Sequence, residues 1–83
     1  MIKILDFEIK NDLQIEFNFS NGEQGLFDAQ HYVSSRQGIL LDALRNDAYF
    51  KRCFIDAGAL CWPNGLELSA ARVLELCKKV QLA

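Results

Sequence analysis

Residues 13–19 alternate without a break: Leu13, Ile15, Phe17 and Phe19 fall on one side, and Gln14, Glu16 and Asn18 on the other. A period of two is the repeat of a β-strand, and this apolar-in, polar-out form suits an antiparallel sheet with one wet face. Ser20, Asn21 and Gly22 follow directly. Asn-Gly tolerates the positive φ of a tight hairpin, so a third strand over residues 23–28 is expected to fold back on the second. Upstream, residues 2–9 are rich in β-branched and aromatic side chains, but their apolar positions change phase between Ile4 and Leu5. A β-bulge or burial on both faces produces such a slip. Lys10, Asn11 and Asp12 separate this run from the next. Three consecutive strands with tight connections make a meander, and its greasy face needs a cover.

The cover is expected downstream. Residues 29–37 are polar and mixed, which suits a short helical turn or a loop, whereas Ile39, Leu40, Ala43 and Leu44 recur at helical spacing. Asp47 is placed to cap a second short helical turn carrying Tyr49 and Phe50. A fourth extended segment is expected over residues 53–56, resuming at residues 60–62 across the break at Ala57 and Gly58. Trp62, Pro63, Asn64 and Gly65 then form a turn: Pro63 presets φ, Asn64 accepts the bridge region and Gly65 takes the left-handed conformation. Ser69 caps a final helix running to about Gln81, with Ala70, Val73, Leu74, Cys77 and Val80 as its apolar stripe. Lys78 and Lys79 fall in its last turns, where cations favour the helix dipole. The expected fold is α+β, one domain over residues 1–83. An antiparallel sheet, the three-strand meander plus the fourth extended segment, packs against a short central helix and a C-terminal helix.

Composition narrows the function. With 83 residues, 51% of them hydrophobic and 24% charged, there is room for one core of ordinary globular make-up. Residues 1–31 carry two basic and six acidic groups, a sum of −4, and residues 32–83 carry seven basic and five acidic groups, a sum of +2. Neither half has the basicity that neutralises phosphates, and Arg36, Arg45, Lys51, Arg52, Arg72, Lys78 and Lys79 are scattered. Nucleic-acid binding by this domain alone is therefore not expected. Cys53, Cys61 and Cys77 make an odd count that rules out a complete set of internal disulfides. With free thiols, no signal-peptide pattern and no apolar run of membrane-spanning length, a cytoplasmic location without membrane contact is expected.

Groups that carry chemistry are few. His31 is the one histidine, and a Cys-His pair would need a cysteine within hydrogen-bond reach of its ring. The cysteines show no C-x-x-C spacing, so no metal is expected. The five glycines are isolated, with no phosphate-cradling loop, so no cofactor is expected. Asp28, Asp56 and Glu67 fall at or near strand ends, where they either accept backbone N–H bonds or do acid-base work. Trp62 either anchors a partner or closes one end of the core.

The order of these features resembles the small bacterial family called domain of unknown function 2442, over essentially the whole chain. The resemblance is carried by Phe19, Ser20, Asn21 and Gly22, by Phe27 and Asp28, and by Leu44, Asp47 and Phe50. Above all it is carried by the run Cys61, Trp62, Pro63, Asn64, Gly65, Leu66, Glu67, Leu68 and Ser69. One departure is Glu67, where the family pattern has aspartate two residues after the glycine; the charge is kept and the side chain lengthened. The resemblance implies a compact α+β fold with no established catalysis. It also implies relatives that stand alone or joined to a DNA-binding helix-turn-helix domain, some of them beside toxin-like proteins. A non-catalytic protein-interaction or regulatory module is thus expected, in a toxin-antitoxin or transcription-regulation setting, with a protein partner or a second copy docking at a sheet edge. Trp62, Asn64, Glu67 and Asp28 are the candidate partner-binding residues, and no catalytic residue is assigned. The alternative is a small enzyme or ligand-binding domain using Glu67, Asp56 or His31 near the turn at residues 62–69, or a weak nucleic-acid binder.

Overall fold

The computed structural model describes residues 1–11, 13–34 and 38–79. The meander is present as β1 (Ile4–Ile9), β2 (Gln14–Phe19) and β3 (Gln24–Asp28), antiparallel throughout. The phase slip near Ile4 is a bulge. Ile4 pairs with Phe19 and Asp6 with Asn18, which leaves Leu5 unpaired and 63% exposed while Ile4 and Phe7 both reach the core side.

Past β3 the chain forms α1 (Ala29–Ser34), α2 (Ile39–Asp42), a 3-10 turn at Ala43–Arg45, and α3 (Asp47–Phe50). The cap of α3 is Asn46, not Asp47: the Asn46 side chain accepts the Tyr49 N–H at 3.1 Å, and Asp47 is already helical. Neutral Asn fills the N-cap as well as Asp does, so residue type alone did not separate the two neighbours.

The fourth extended segment folds as a hairpin. β4 (Phe54–Asp56) and β5 (Ala59–Cys61) pair antiparallel around a two-residue turn in which Ala57 and Gly58 both take positive φ, 52° and 81°. β6 (Glu67–Leu68) completes a second sheet in the order β4-β5-β6.

Two loops share one design. Phe19 N–H bonds Glu23 O at 2.9 Å and Trp62 N–H bonds Leu66 O at 2.9 Å, so each loop spans three residues. In each, the last loop residue is a glycine at positive φ, Gly22 at 88° and Gly65 at 96°. The Asn before it accepts the N–H two residues on, from Glu23 at 3.0 Å and from Leu66 at 3.1 Å. Asn21 itself is not at positive φ, so the expected two-residue Asn-Gly turn is replaced by this longer loop.

Ser69 caps α4 (Ala70–Leu76) by accepting the Arg72 N–H at 3.1 Å. The helix stops well short of the expected end near Gln81. Cys77 turns extended (ψ 143°), and β7 (Lys78–Lys79) pairs with β3, giving the first sheet the order β1-β2-β3-β7. Lys78 and Lys79 therefore lie in a strand and not in a helix's last turns. Two causes act together: β3 would otherwise leave backbone groups without a ladder, and Cys77 settles onto the bare backbone of Gly25. A Cβ at Gly25 would stand 2.7 Å from the Cβ of Cys77. Val80 and Gln81 of the expected helix, together with Asp12 and Arg36, lie outside the described residues.

The core lies between the meander and the helices. Ile15, Phe17, Phe19 and Phe27 from the first sheet join Leu44, Phe50, Leu60, Trp62 and Val73, all of them buried, while Leu74 packs against them half-buried. Phe17 sits 6.3, 6.0 and 6.4 Å from the ring centres of Phe7, Phe19 and Phe27. Burying one such ring contributes about 2 kcal/mol. Among the described residues no helix is long and apolar enough to cross a membrane.

Candidate functional site

The turn that carries the family resemblance is built around Trp62. Its side chain is 2% exposed, its ring centre lies 6.0 Å from that of Phe50, and its indole N–H donates to the Phe50 carbonyl at 3.0 Å. Core contacts thus take up both the ring and its one polar atom. A side chain so enclosed offers no surface to a partner, because burying its large apolar ring outweighs anything gained by exposing it. Asn64 is half-buried and holds the loop in place, with its backbone N–H donating to the Tyr49 hydroxyl at 2.8 Å. Asp28 closes β3 and accepts the His31 N–H at 3.2 Å, a cap on the first turn of α1. Of the named candidates, only Glu67 presents an exposed side chain.

Glu67 pairs with Cys61 across β5 and β6, and its Oε2 lies 3.6 Å from the Cys61 Sγ, which donates. Burial, and next the nearby Glu67 carboxylate, push the Cys61 thiol above its ordinary pKa. That is the reverse of what a nucleophilic cysteine needs. Glu67 and Asp56 line one open cavity of about 420 Å³, with Met1, Ile2 and Ser69 among the other lining residues. His31 is not part of that lining. The three residues proposed for an enzyme-like site are therefore brought together only in part, two carboxylates without the imidazole.

A second depression of about 540 Å³ is lined by Lys10, Asn11, Leu13, Arg45, Asp47 and Lys51. Its cations are matched one for one: Lys10 with Glu8 at 2.9 Å, Arg45 with Asp42 at 3.4 Å and Lys51 with Asp47 at 3.1 Å. Arg52 lies over the Tyr49 ring, and Arg72 stands 4.0 Å from Glu75. Each of these five cations thus has an acidic or aromatic neighbour. Cys53, Cys61 and Cys77 are all free and buried. Among the described residues no three His, Cys, Asp or Glu side chains gather as a metal site would require.

One candidate binding feature is backbone. Among the described residues β1 pairs with β2 alone, so one side of it is an open edge. Lys10 N–H bonds Gln14 O at 2.7 Å, which fixes the alternation along the ladder. Asp6 with Asn18 and Glu8 with Glu16 exchange ladder bonds, and Phe7 and Ile9 turn their N–H and C=O groups outward. At one end the Ile4 N–H is already taken by the Gly58 carbonyl at 2.9 Å. Leu5, Asp6 and Glu8 are exposed along this edge. None of these residues stands out by type. The one sequence sign was the phase slip at Ile4 and Leu5, which marks a bulge and hence a strand near a sheet margin.

Comparison with curated proteins and with solved structures finds no match. A family model, by contrast, matches residues 4–79, nearly the whole length from the first strand to the last. The chain belongs to the family described as protein of unknown function (DUF2442).

Proposed function

We propose that this chain is a small, single-domain, non-catalytic interaction module that engages a partner protein by adding one of the partner's strands to the edge of β1. The observation that carries the reading is the outward-facing backbone of Phe7 and Ile9 beside exposed Leu5. Unpaired edge groups are a template for another strand, and natural proteins usually blunt or cover them. The free, buried thiols suit work in the cytoplasm. A bacterial regulatory setting, toxin neutralisation or transcription control, is one in which such a module would serve.

The test compares the wild-type chain with an Ile9→Pro variant as bait in the cell of origin. Proline removes an N–H that faces away from β2, so the inner ladder is kept, and circular dichroism checks the fold. Recovery of one specific protein by the wild type and its loss with the variant is the expected result. Repeated recovery of no specific protein, or equal recovery by both baits, refutes the reading.

A second reading rests on the cavity shared by Asp56 and Glu67: a ligand site for a small cationic molecule. Calorimetric titration with simple amines is its test, and an Asp56→Asn, Glu67→Gln variant should lose any heat observed.

A further inference from the structure

The side chains of β1 say which strand its edge suits. Phe7 and Ile9 pair with Phe17 and Ile15, both fully buried, and so lie on the core side. Asp6 and Glu8 pair with Asn18 and Glu16 on the wet side. Glu8 thus stands directly across from Glu16, and like charges placed so oppose the pairing. Lys10 answers them with its Nζ 2.9 Å from the Glu8 Oε2, and Glu8 first and Glu16 last hold its ammonium above the usual lysine pKa. Asp6 receives a neutral donor, the Asn18 Nδ2 at 2.5 Å. Along this strip three carboxylates, Asp6, Glu8 and Glu16, face the one ammonium of Lys10.

A strand added beside β1 would set its own side chains next to these at a spacing of about 5 Å. On the core side they would meet Phe7 and Ile9, and on the wet side Asp6 and Glu8. A basic strand answers this strip better than a second copy of the chain, whose own β1 carries the same carboxylates. Pairing β1 with itself about Phe7 sets Asp6 of each copy against Glu8 of the other, and pairing about Glu8 sets Glu8 against Glu8, with Asp6 opposite Lys10 on either side. In these two registers carboxylates stack, where like charges oppose association, whereas pairing about Ile9 sets Glu8 against Lys10, which is why a second copy is kept as an outcome of the test.

Building on the strand-addition reading above, we infer that the β1 edge takes an extended segment of a partner polypeptide in which basic and apolar residues alternate. Its backbone bonds Phe7 and Ile9, its apolar side chains cover the margin of the core, and its lysines or arginines lie beside Asp6 and Glu8. The Gly58 carbonyl on the Ile4 N–H stops the added strand at that end, so the pairing is short. Specificity then comes from the charge pattern, and the backbone bonds supply a sequence-independent share of the affinity.

The test uses two capped seven-residue peptides, one alternating lysine with valine and one alternating glutamate with valine. Each is titrated into the intact chain while backbone amide shifts and hydrogen exchange are followed by NMR. The lysine peptide should protect the Phe7 and Ile9 amides and bind about tenfold more tightly than the glutamate peptide at low salt. That advantage should shrink toward unity at about 1 M salt. A variant carrying Asp6→Lys and Glu8→Lys, both exposed positions, should reverse the preference. Equal protection by both peptides overturns the charge inference and leaves the strand-addition reading standing. Protection by neither overturns both. Protection that grows with protein concentration in the absence of peptide assigns the edge to a second copy and overturns the inference.

Discussion

Replacing Trp62 by phenylalanine separates a core role from a binding role, because the two give opposite stability results. The substitution deletes the indole N–H that meets the Phe50 carbonyl at 3.0 Å inside the core. Stranding a buried acceptor costs about 1 to 3 kcal/mol. Here the lower part of that range applies, since the Cys53 N–H also reaches the Phe50 carbonyl, at 3.4 Å. The missing second ring leaves a void that adds about 1 to 2 kcal/mol. Together the loss is about 2 to 4 kcal/mol, and Trp62→Ala should cost about 3 to 5 kcal/mol. A domain of this size has about 5 to 10 kcal/mol in all, so the alanine variant should be close to unfolding at ordinary temperature. Urea unfolding should be followed by far-UV circular dichroism, because Trp62 is the only tryptophan and the fluorescence signal disappears with it. In the wild type that emission should be blue-shifted and resistant to iodide. A Trp62→Phe variant whose midpoint falls by the equivalent of less than about 0.5 kcal/mol, far below these magnitudes, refutes the assignment of the ring to the core.

Gly25→Ala should destabilise by about 1 to 3 kcal/mol through overpacking. Adding Cys77→Ala should recover little, because the close contact is with the Cys77 Cβ at 2.7 Å, which alanine retains; full rescue would contradict the packing. Ala57→Asn should raise stability by about 1 kcal/mol, since alanine is held at φ 52° where asparagine is better tolerated. A fall in the urea midpoint would show that the turn does not adopt this shape. At neutral pH a thiol reagent should label none of the three buried cysteines until denaturant is added. Burial pushes Cys53 up to about 11 and Cys77 to about 12 from an ordinary 9.0, so the folded chain keeps protons that the unfolded chain releases. Stability should accordingly be insensitive to these thiols below about pH 9 and fall as pH rises from there toward 11. A Cys53→Ala, Cys77→Ala variant that declines as steeply as the wild type over that window would show that the thiols are not the cause.

What could be read from the residues was whatever a short window decides. The alternation through Ile15, Phe17 and Phe19 sets strand and face by itself, and the bulge beside Leu5 shows in the broken phase of the first run. Ser69 and the loop at Trp62, Pro63, Asn64 and Gly65 act through their own neighbours, and they stand where local chemistry puts them. The end of α4 escaped such reading because it depends on a contact between Cys77 and Gly25, fifty-two positions apart in the chain. A helical stripe through Ala70, Val73 and Cys77 looks the same whether or not the last member has left the helix. The hairpin at Ala57 and Gly58 was hidden for another reason: alanine at positive φ is a cost carried by the tertiary structure, and residue preferences argue against it. At the candidate site, Trp62 attracted notice by type although its surroundings enclose it. The edge of β1 drew none, because a main-chain template leaves almost no mark on side-chain identity.

The order of the strands has a consequence for how the molecule assembles. Of the five strand pairings among the described residues, four, β1 with β2, β2 with β3, β4 with β5 and β5 with β6, join neighbours along the chain across loops of a few residues. Each can zip up early, since closing a short loop costs little entropy. Only β3 with β7 brings together segments from opposite halves of the sequence, and it does so over two residue pairs. That seam should close last during folding and open first under strain, so amide exchange at Leu26 should report breathing well below the threshold for global unfolding.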